Sequence, residues 1–280
     1  MVTRYVVTVL LLSLGAGASA VEPLAWKFAK GKSWQIEAER TITSASTHPG
    51  SESKVVSKTN ITSKIVVNDV EGDTATVTET ISAVLATIEI DNKESVGGKK
   101  TDRLEKVEYD SANPGNASTR AAKSLKAKLE PLVGKSETYK VDTRGQRSEF
   151  ESPSFGERPN TLGGVLLPAT ADADEATWIN PTITVASPTA AKLDITWKRE
   201  SVDQDVVKLA GTGLVSSNET TPPWKEASYA ATASFDASAG TLVSSETTFT
   251  VWMQKVVREK NIDAATTIKT TTAWKELLPQ

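Results

Sequence analysis

The stretch "SWQIEAERTI", residues 33–42, repeats every two residues. Trp34, Ile36, Ala38 and Ile42 fall on one side, and Ser33, Gln35, Glu37 and Glu39 on the other. Successive side chains of an extended chain point to opposite faces, so this spacing predicts a strand with one apolar and one wet face. The next stretch, "VVSKTNITSKIVV" (55–67), carries the same period at Val55, Ile61, Ile65 and Val67. "NDVEGD" (68–73) supplies turn chemistry, and the Thr-rich "TATVTETISAVLATIEI" (74–90) runs back. Such alternation suits a pleated, half-buried surface. Its apolar phase switches between Ala83 and Ala86, which predicts a bulge or a point where both faces become covered.

The period returns after residue 182. Leu193, Ile195 and Trp197 share one face of "AKLDITWKRE", and Tyr229, Ala231, Ala233 and Phe235 share one face of "ASYAATASF". "GTLVSSETTFTVWMQKVV" and "TTIKTTTAWKELL" complete the set, while "GTG" (211–213) reads as a turn between strands. One segment breaks the pattern: "STRAAKSLKAKLEPLVG" places Ala121, Ala122, Leu125, Leu129 and Leu132 on a helical stripe with lysines opposite. A helix is expected over about 118–133, capped by Ser118 or Asn116, ended by Pro131 and Gly134, and lying on a sheet. Residues 151–181, dense in Gly, Pro and Asp, form a connector between a β half over 21–150 and a second over 182–280.

The predicted class is therefore all-β with one principal helix. Long antiparallel meanders form two β-rich halves, whose apolar faces are covered by each other or by curling into an open, barrel-like arrangement. Three strand-to-turn corners look alike: Tyr109-Asp110-Ser111-Ala112, Val141-Asp142-Thr143-Arg144-Gly145 and Phe235-Asp236-Ala237-Ser238-Ala239-Gly240. Asp110, Asp142 and Asp236 are read as acceptors for turn amides, and Gly145 and Gly240 as turn-closing residues.

Residues 1–20 have the layout of a secretory signal: Arg4, the apolar run from Tyr5 to Leu14, then "GAGASA". Cleavage is expected after Ala20, with no further apolar run of about 18 residues to cross a membrane. The chain contains no cysteine, which removes disulfides, thiolate metal sites and a cysteine nucleophile. Secreted eukaryotic domains lean on disulfides, so a periplasmic or extracellular bacterial address is expected. The net charge of −3, with both signs spread along the chain, has no basic stripe for phosphates, and no nucleic-acid partner is expected.

These corners, the "LLPATADADEATW" connector and Gly31-Lys32-Ser33-Trp34 at the first strand resemble a family of exported β-rich proteins of unknown function from planctomycete-type bacteria. The family pattern has an aromatic-Asp-Ser corner before a helix and a Leu-Pro…Trp connector between β halves. One departure is that Glu175-Ala176-Thr177 precedes Trp178 where the family usually carries a glycine. The resemblance implies fold and export, without a mechanism.

Catalytic signals are few. His48, in "STHPGSES", is the sole histidine, so a Ser-His-Asp triad or a multi-histidine metal site would rest on it alone. Asp172, Asp174 and Glu175 offer hard oxygen ligands without the EF-hand spacing. Trp34, Trp197 and Trp274 are in phase with apolar neighbours and are expected in the core. Trp178 and Trp224 lie at loop edges and are the candidates for an exposed ligand platform. No cofactor is expected. The expected role is that of an exported, non-catalytic envelope protein binding an envelope partner or an apolar small molecule. A carboxylate-dependent hydrolase of envelope or extracellular polymer, or a purely structural coat component, is the alternative.

Overall fold

The computed structural model describes residues 24–278 except 49, 97–98, 117–118, 152–160, 169–176, 181–182, 186–190, 218–223 and 258–259. The fold is all-β with one α-helix. In chain order the elements are β1 (Ser33–His48), β2 (Ser51–Glu71), β3 (Thr74–Val96), β4 (Lys99–Asp110), α1 (Arg120–Leu129), β5 (Ser136–Asp142), β6 (Arg147–Glu151), β7 (Thr177–Ile179), β8 (Ile183–Val185), β9 (Ala191–Asp203), β10 (Val206–Ser216), β11 (Glu226–Asp236), β12 (Thr241–Val257) and β13 (Lys260–Leu277). They make one antiparallel sheet in the order β6-β5-β3-β2-β1-β13-β12-β11-β10-β9-β7, with β4 also on β3 and β8 also on β9. The first and last strands of the long meander pair with each other, Ser33 opposite Leu277 through Thr47 opposite Asp263. That seam joins the two runs of strands into a single sheet.

Residues directly opposite in a ladder share a face. One row can therefore be followed across nine strands: Ile195, Gly213, Tyr229, Phe249, Ile268, Ile42, Ser57, Ile88 and Val107. The even residues of "SWQIEAERTI" lie on this face, and Gln35, Glu37 and Glu39 on the other. The phase switch in β3 is a bulge: Thr62 faces Ala83 and Ser63 faces Ile81, so Ser82 is the extra residue. Its hydroxyl donates to the Thr62 carbonyl at 3.1 Å.

The sheet is curled at its base and does not close into a barrel. Both flanks contribute to one buried cluster, with Val77, Tyr139 and Val141 from one side and Trp197, Val207 and Phe235 from the other. Two irregular segments fill the space between them. In residues 24–28, the Trp26 amide donates to the Thr143 carbonyl at 2.7 Å and the Lys27 amide to that of Gly240 at 2.9 Å. This segment thus ties the β5–β6 turn to the β11–β12 turn. In residues 161–168, the Leu162 and Leu167 amides donate to Gly145 and Arg144, while Ser245 Oγ donates to the Gly163 carbonyl. Leu162, Val165, Leu166 and Leu167 are all buried. The Gly- and Pro-rich connector therefore contains a plug of the core.

"GTG" is corrected by the structure: Gly211, Thr212 and Gly213 lie inside β10. A side chain at Gly211 would crowd the Trp197 ring, and one at Gly213 would meet the Tyr229 ring at 2.8 Å. The missing Cβ atoms let two large aromatics lie across the strand.

Gly240 takes φ +60, and a Cβ there would stand 2.5 Å from the Lys27 amide nitrogen. Gly240→Ala is expected to lower stability by roughly 1–3 kcal/mol through backbone strain and overpacking. A urea unfolding curve with an unchanged midpoint would refute this role for the corner.

Candidate functional site

Above the packed base, the inner face continues upward with apolar side chains that are only half-buried. They include Ile42 on β1, Val55 and Ile61 on β2, Ile88 and Ile90 on β3, Met253 on β12 and Ile268 on β13. Burial pushes the Tyr229 phenol up to about 12, marking the weakly solvated floor of the row. Helix α1 covers one flank, where Leu125, Leu129, Leu132 and Val133 pack on Ile81, Val84 and Tyr109. The helix cap is Thr119, whose side chain accepts the Ala122 amide at 3.1 Å, in place of the predicted Ser118 or Asn116. Ala122 is buried, whereas Ala121, placed on the apolar stripe from sequence, faces solvent.

One row closer to the base, the face changes chemistry. Trp178, Trp197, Gly211, Ala231, Thr247, Thr270, Arg40, Thr59, Ala86 and Tyr109 follow one another across the sheet. Arg40 stands between Thr270 and Thr59, and its side chain is exposed.

A second polar group lies in the core. Glu79 on β3 is directly opposite Glu137 on β5, and both are 4% exposed. Ser63 Oγ donates to Glu79 Oε1 at 3.0 Å, Tyr139 Oη donates to Oε2 at 3.3 Å, and the Arg147 guanidinium lies 3.7 Å from Oε2. Arg147 also stacks over the Tyr139 ring at 4.6 Å. Glu79, two hydroxyls and a guanidinium thus form a buried network beside Glu137. No sequence motif marks this network; its signal is that Glu79 and Glu137 occupy positions in phase with Val77, Ile81, Tyr139 and Val141.

The residues proposed from sequence fall in different places. Trp178 is 5% exposed, with its indole N–H donated to the Leu166 carbonyl at 2.7 Å. It has no ring face free for a ligand, because the connector folds over it. Trp224 is half-buried against the main core. Asp172, Asp174 and Glu175 lie outside the described residues. His48 ends β1 opposite Ser51, so it belongs to a strand end rather than a loop, and it is exposed.

The three acidic corners are turns. Asp110 accepts the Ala112 amide, and Asp142 Oδ1 accepts those of Arg144 and Gln146, with Gly145 at φ +87. Asp236 Oδ1 accepts the Ala239 amide and the Ser238 hydroxyl, each at 2.8 Å. The Ala239 amide is the main cause that holds the Asp236 carboxyl below the usual carboxylate range.

No family model matches the chain, and no curated protein matches it. Among solved structures it is similar to lipovitellin, described for its lipid–protein interactions, at 10% identity and a TM-score of 0.49. That match covers 89% of this chain, which spans 25% of the lipovitellin chain. The TodX monoaromatic hydrocarbon channel is matched at 8% identity and TM-score 0.35, covering 90% of this chain and 91% of that one. Pseudomonas aeruginosa OccK7 (OpdD) is matched at 8% identity and TM-score 0.29, covering 89% and 100%. All three superpose too loosely to bear on what this chain does.

Two predictions come from these polar groups. Arg147→Ala leaves Glu79 buried without that cation and is expected to destabilise the fold by about 3–5 kcal/mol. Ser63→Ala is expected to cost only about 1 kcal/mol. Equal shifts of the two variants in chemical denaturation would contradict the network. For Asp236, a depressed folded pKa means its stabilisation is present above the unfolded value, about 3.9, and is lost as pH falls through the folded one. Asp236→Asn should therefore weaken the fold at neutral pH and narrow its gap to the parent in acid. A gap that stays constant from neutral pH to about pH 2 would exclude this.

Proposed function

We propose that the chain is an exported, non-catalytic envelope protein that holds an apolar ligand on the inner face of its curled sheet. The observation that carries this reading is the row from Ile195 to Val107, apolar at seven of its nine positions, with Tyr229, Ile268, Ile42 and Ile88 half-buried above a fully packed base. Leaving such side chains partly wet forgoes burial energy of about 25 cal/mol per Å², which a hydrophobic ligand would recover. Helix α1 gives the face a wall, and the curl of the base gives it depth. The facing carboxylates Glu79 and Glu137 support a non-catalytic reading, because both are buried and Glu79 is engaged by Ser63, Tyr139 and Arg147. The signal-like first twenty residues support export.

Mass spectrometry of an organic extract of the purified protein should find a co-purifying apolar molecule. The double variant Ile42→Asp/Ile268→Asp is expected to bind a hydrophobic fluorescent probe at least roughly tenfold more weakly, since the face then presents charge to it. A clean extract together with unaltered probe binding would overturn the reading. Cell fractionation and N-terminal sequencing should find the mature chain outside the cytoplasm, starting at Val21.

A further inference from the structure

We propose that the ligand of the inner face is a long-chain carboxylate whose headgroup is held by Arg40, an assignment that rests on the apolar-ligand reading above. In β1 every other inward position from Trp34 to Ile42 is apolar, and Arg40 interrupts the series. It lies at the middle of the sheet, with neighbours on both sides along its row, so it is not an edge or tip residue. Its side chain is exposed on that face, so the guanidinium is open to an anionic group from outside the chain.

Among the described residues no acid meets it. Among the described residues Arg40 makes no ion pair and no side-chain hydrogen bond. Its sequence neighbour Glu39 points to the outer face and pairs there with Lys58 at 3.2 Å. The inner positions beside Arg40 are Thr270 and Thr59, and those above and below it on β1 are Ile42 and Ala38. Glu105, the inward acid of β4, is three strands away and pairs with Arg103 at 3.3 Å. Of the inward acids of β3, Glu79 is buried in its own network near the base, and Glu94 lies opposite Ser51 at the far end of the sheet.

This arrangement offers one planar cation, two flanking hydroxyl groups and an apolar floor leading away from them. Such a fork matches a carboxylate bidentately. Thr59 and Thr270 can each donate one further hydrogen bond to it. From there an alkyl chain can lie along the next row, over Ile42 and Ile268 towards Phe249, or over Ile42 towards Ile88. Adjacent strands are about 4.8 Å apart, so a chain of some twenty ångströms is accommodated by about five strands. The occupant assigned is a fatty acid, whose planar carboxylate fits between Thr59 and Thr270 with no further headgroup to seat.

The test uses the purified mature chain with cis-parinaric acid, its methyl ester, and dispersed short-chain phosphatidylglycerol as competitor. The acid is expected to bind roughly tenfold or more tightly than the ester. Arg40→Gln should remove that difference by weakening the acid alone, with an unchanged unfolding midpoint. Equal binding of acid and ester to the parent chain overturns the headgroup assignment and leaves the apolar face intact. Failure of both to bind overturns the underlying reading. Displacement of the acid by phosphatidylglycerol at lower concentrations than by unlabelled fatty acid overturns the carboxylate. The acid–ester comparison needs no variant, so it stands even if Arg40→Gln fails to fold.

Discussion

The structure depends on Trp26. Its ring centroid lies 5.3 Å from Trp274, 5.6 Å from Phe235, 6.0 Å from Phe28 and 6.5 Å from Trp34. Those partners come from β1, β11, β13 and the Trp26 segment itself, so one side chain ties the paired strands β1 and β13 to β11, two strands further along the ladder. Burying a ring of this size is worth about 4–6 kcal/mol of transfer free energy. Its amide simultaneously satisfies Thr143 at the β5–β6 turn. An open sheet gains curvature here without edge-to-edge hydrogen bonds, through a wedge and a plug.

That choice explains the proportions of the molecule. β3 has 23 residues and β2 has 21, against about 5–6 in an ordinary strand. Only their basal halves are needed for the core. The upper halves carry the apolar rows outward, beyond what the base can cover. The exposed edge is protected by charge instead: β4 reads Lys-Lys-Thr-Asp-Arg-Leu-Glu-Lys in its first eight residues, a poor template for another strand. The upper sheet thus carries apolar rows behind a charged edge strand. Arg40, the charge that interrupts the apolar series of β1, gives that surface a polarity along which an amphiphile can be oriented.

Much of this was legible in the residues. The two-residue period of Trp34, Ile36, Ala38 and Ile42 reports a strand because side-chain alternation is local geometry. The β3 bulge was legible too, since an extra residue shifts the phase of everything after it. The turn carboxylates were legible because Asp accepts amides within four residues of itself. The inward polar residues were harder. Arg40, Glu79 and Glu137 each sit in apolar phase, and such violations are the available signal for a site or a buried network. Reading only the dominant phase passes over them. "GTG" misled for a related reason: glycine commonly marks a turn, and its role here is to admit rings from β9 and β11.

The sequence by itself determined the local grammar: all-β, one amphipathic helix, corners at Asp110, Asp142 and Asp236, and a tryptophan-rich interior. These follow from interactions among residues a few positions apart. Only the tertiary structure decided that the first and last strands join the halves in one sheet, and that Trp178 and the Leu162–Leu167 patch belong to the core. It alone lined up Ile195 to Val107 in a row with Arg40 beneath it. The physical reason is that register between distant strands is set by summed long-range burial, which leaves no periodic trace in any single stretch.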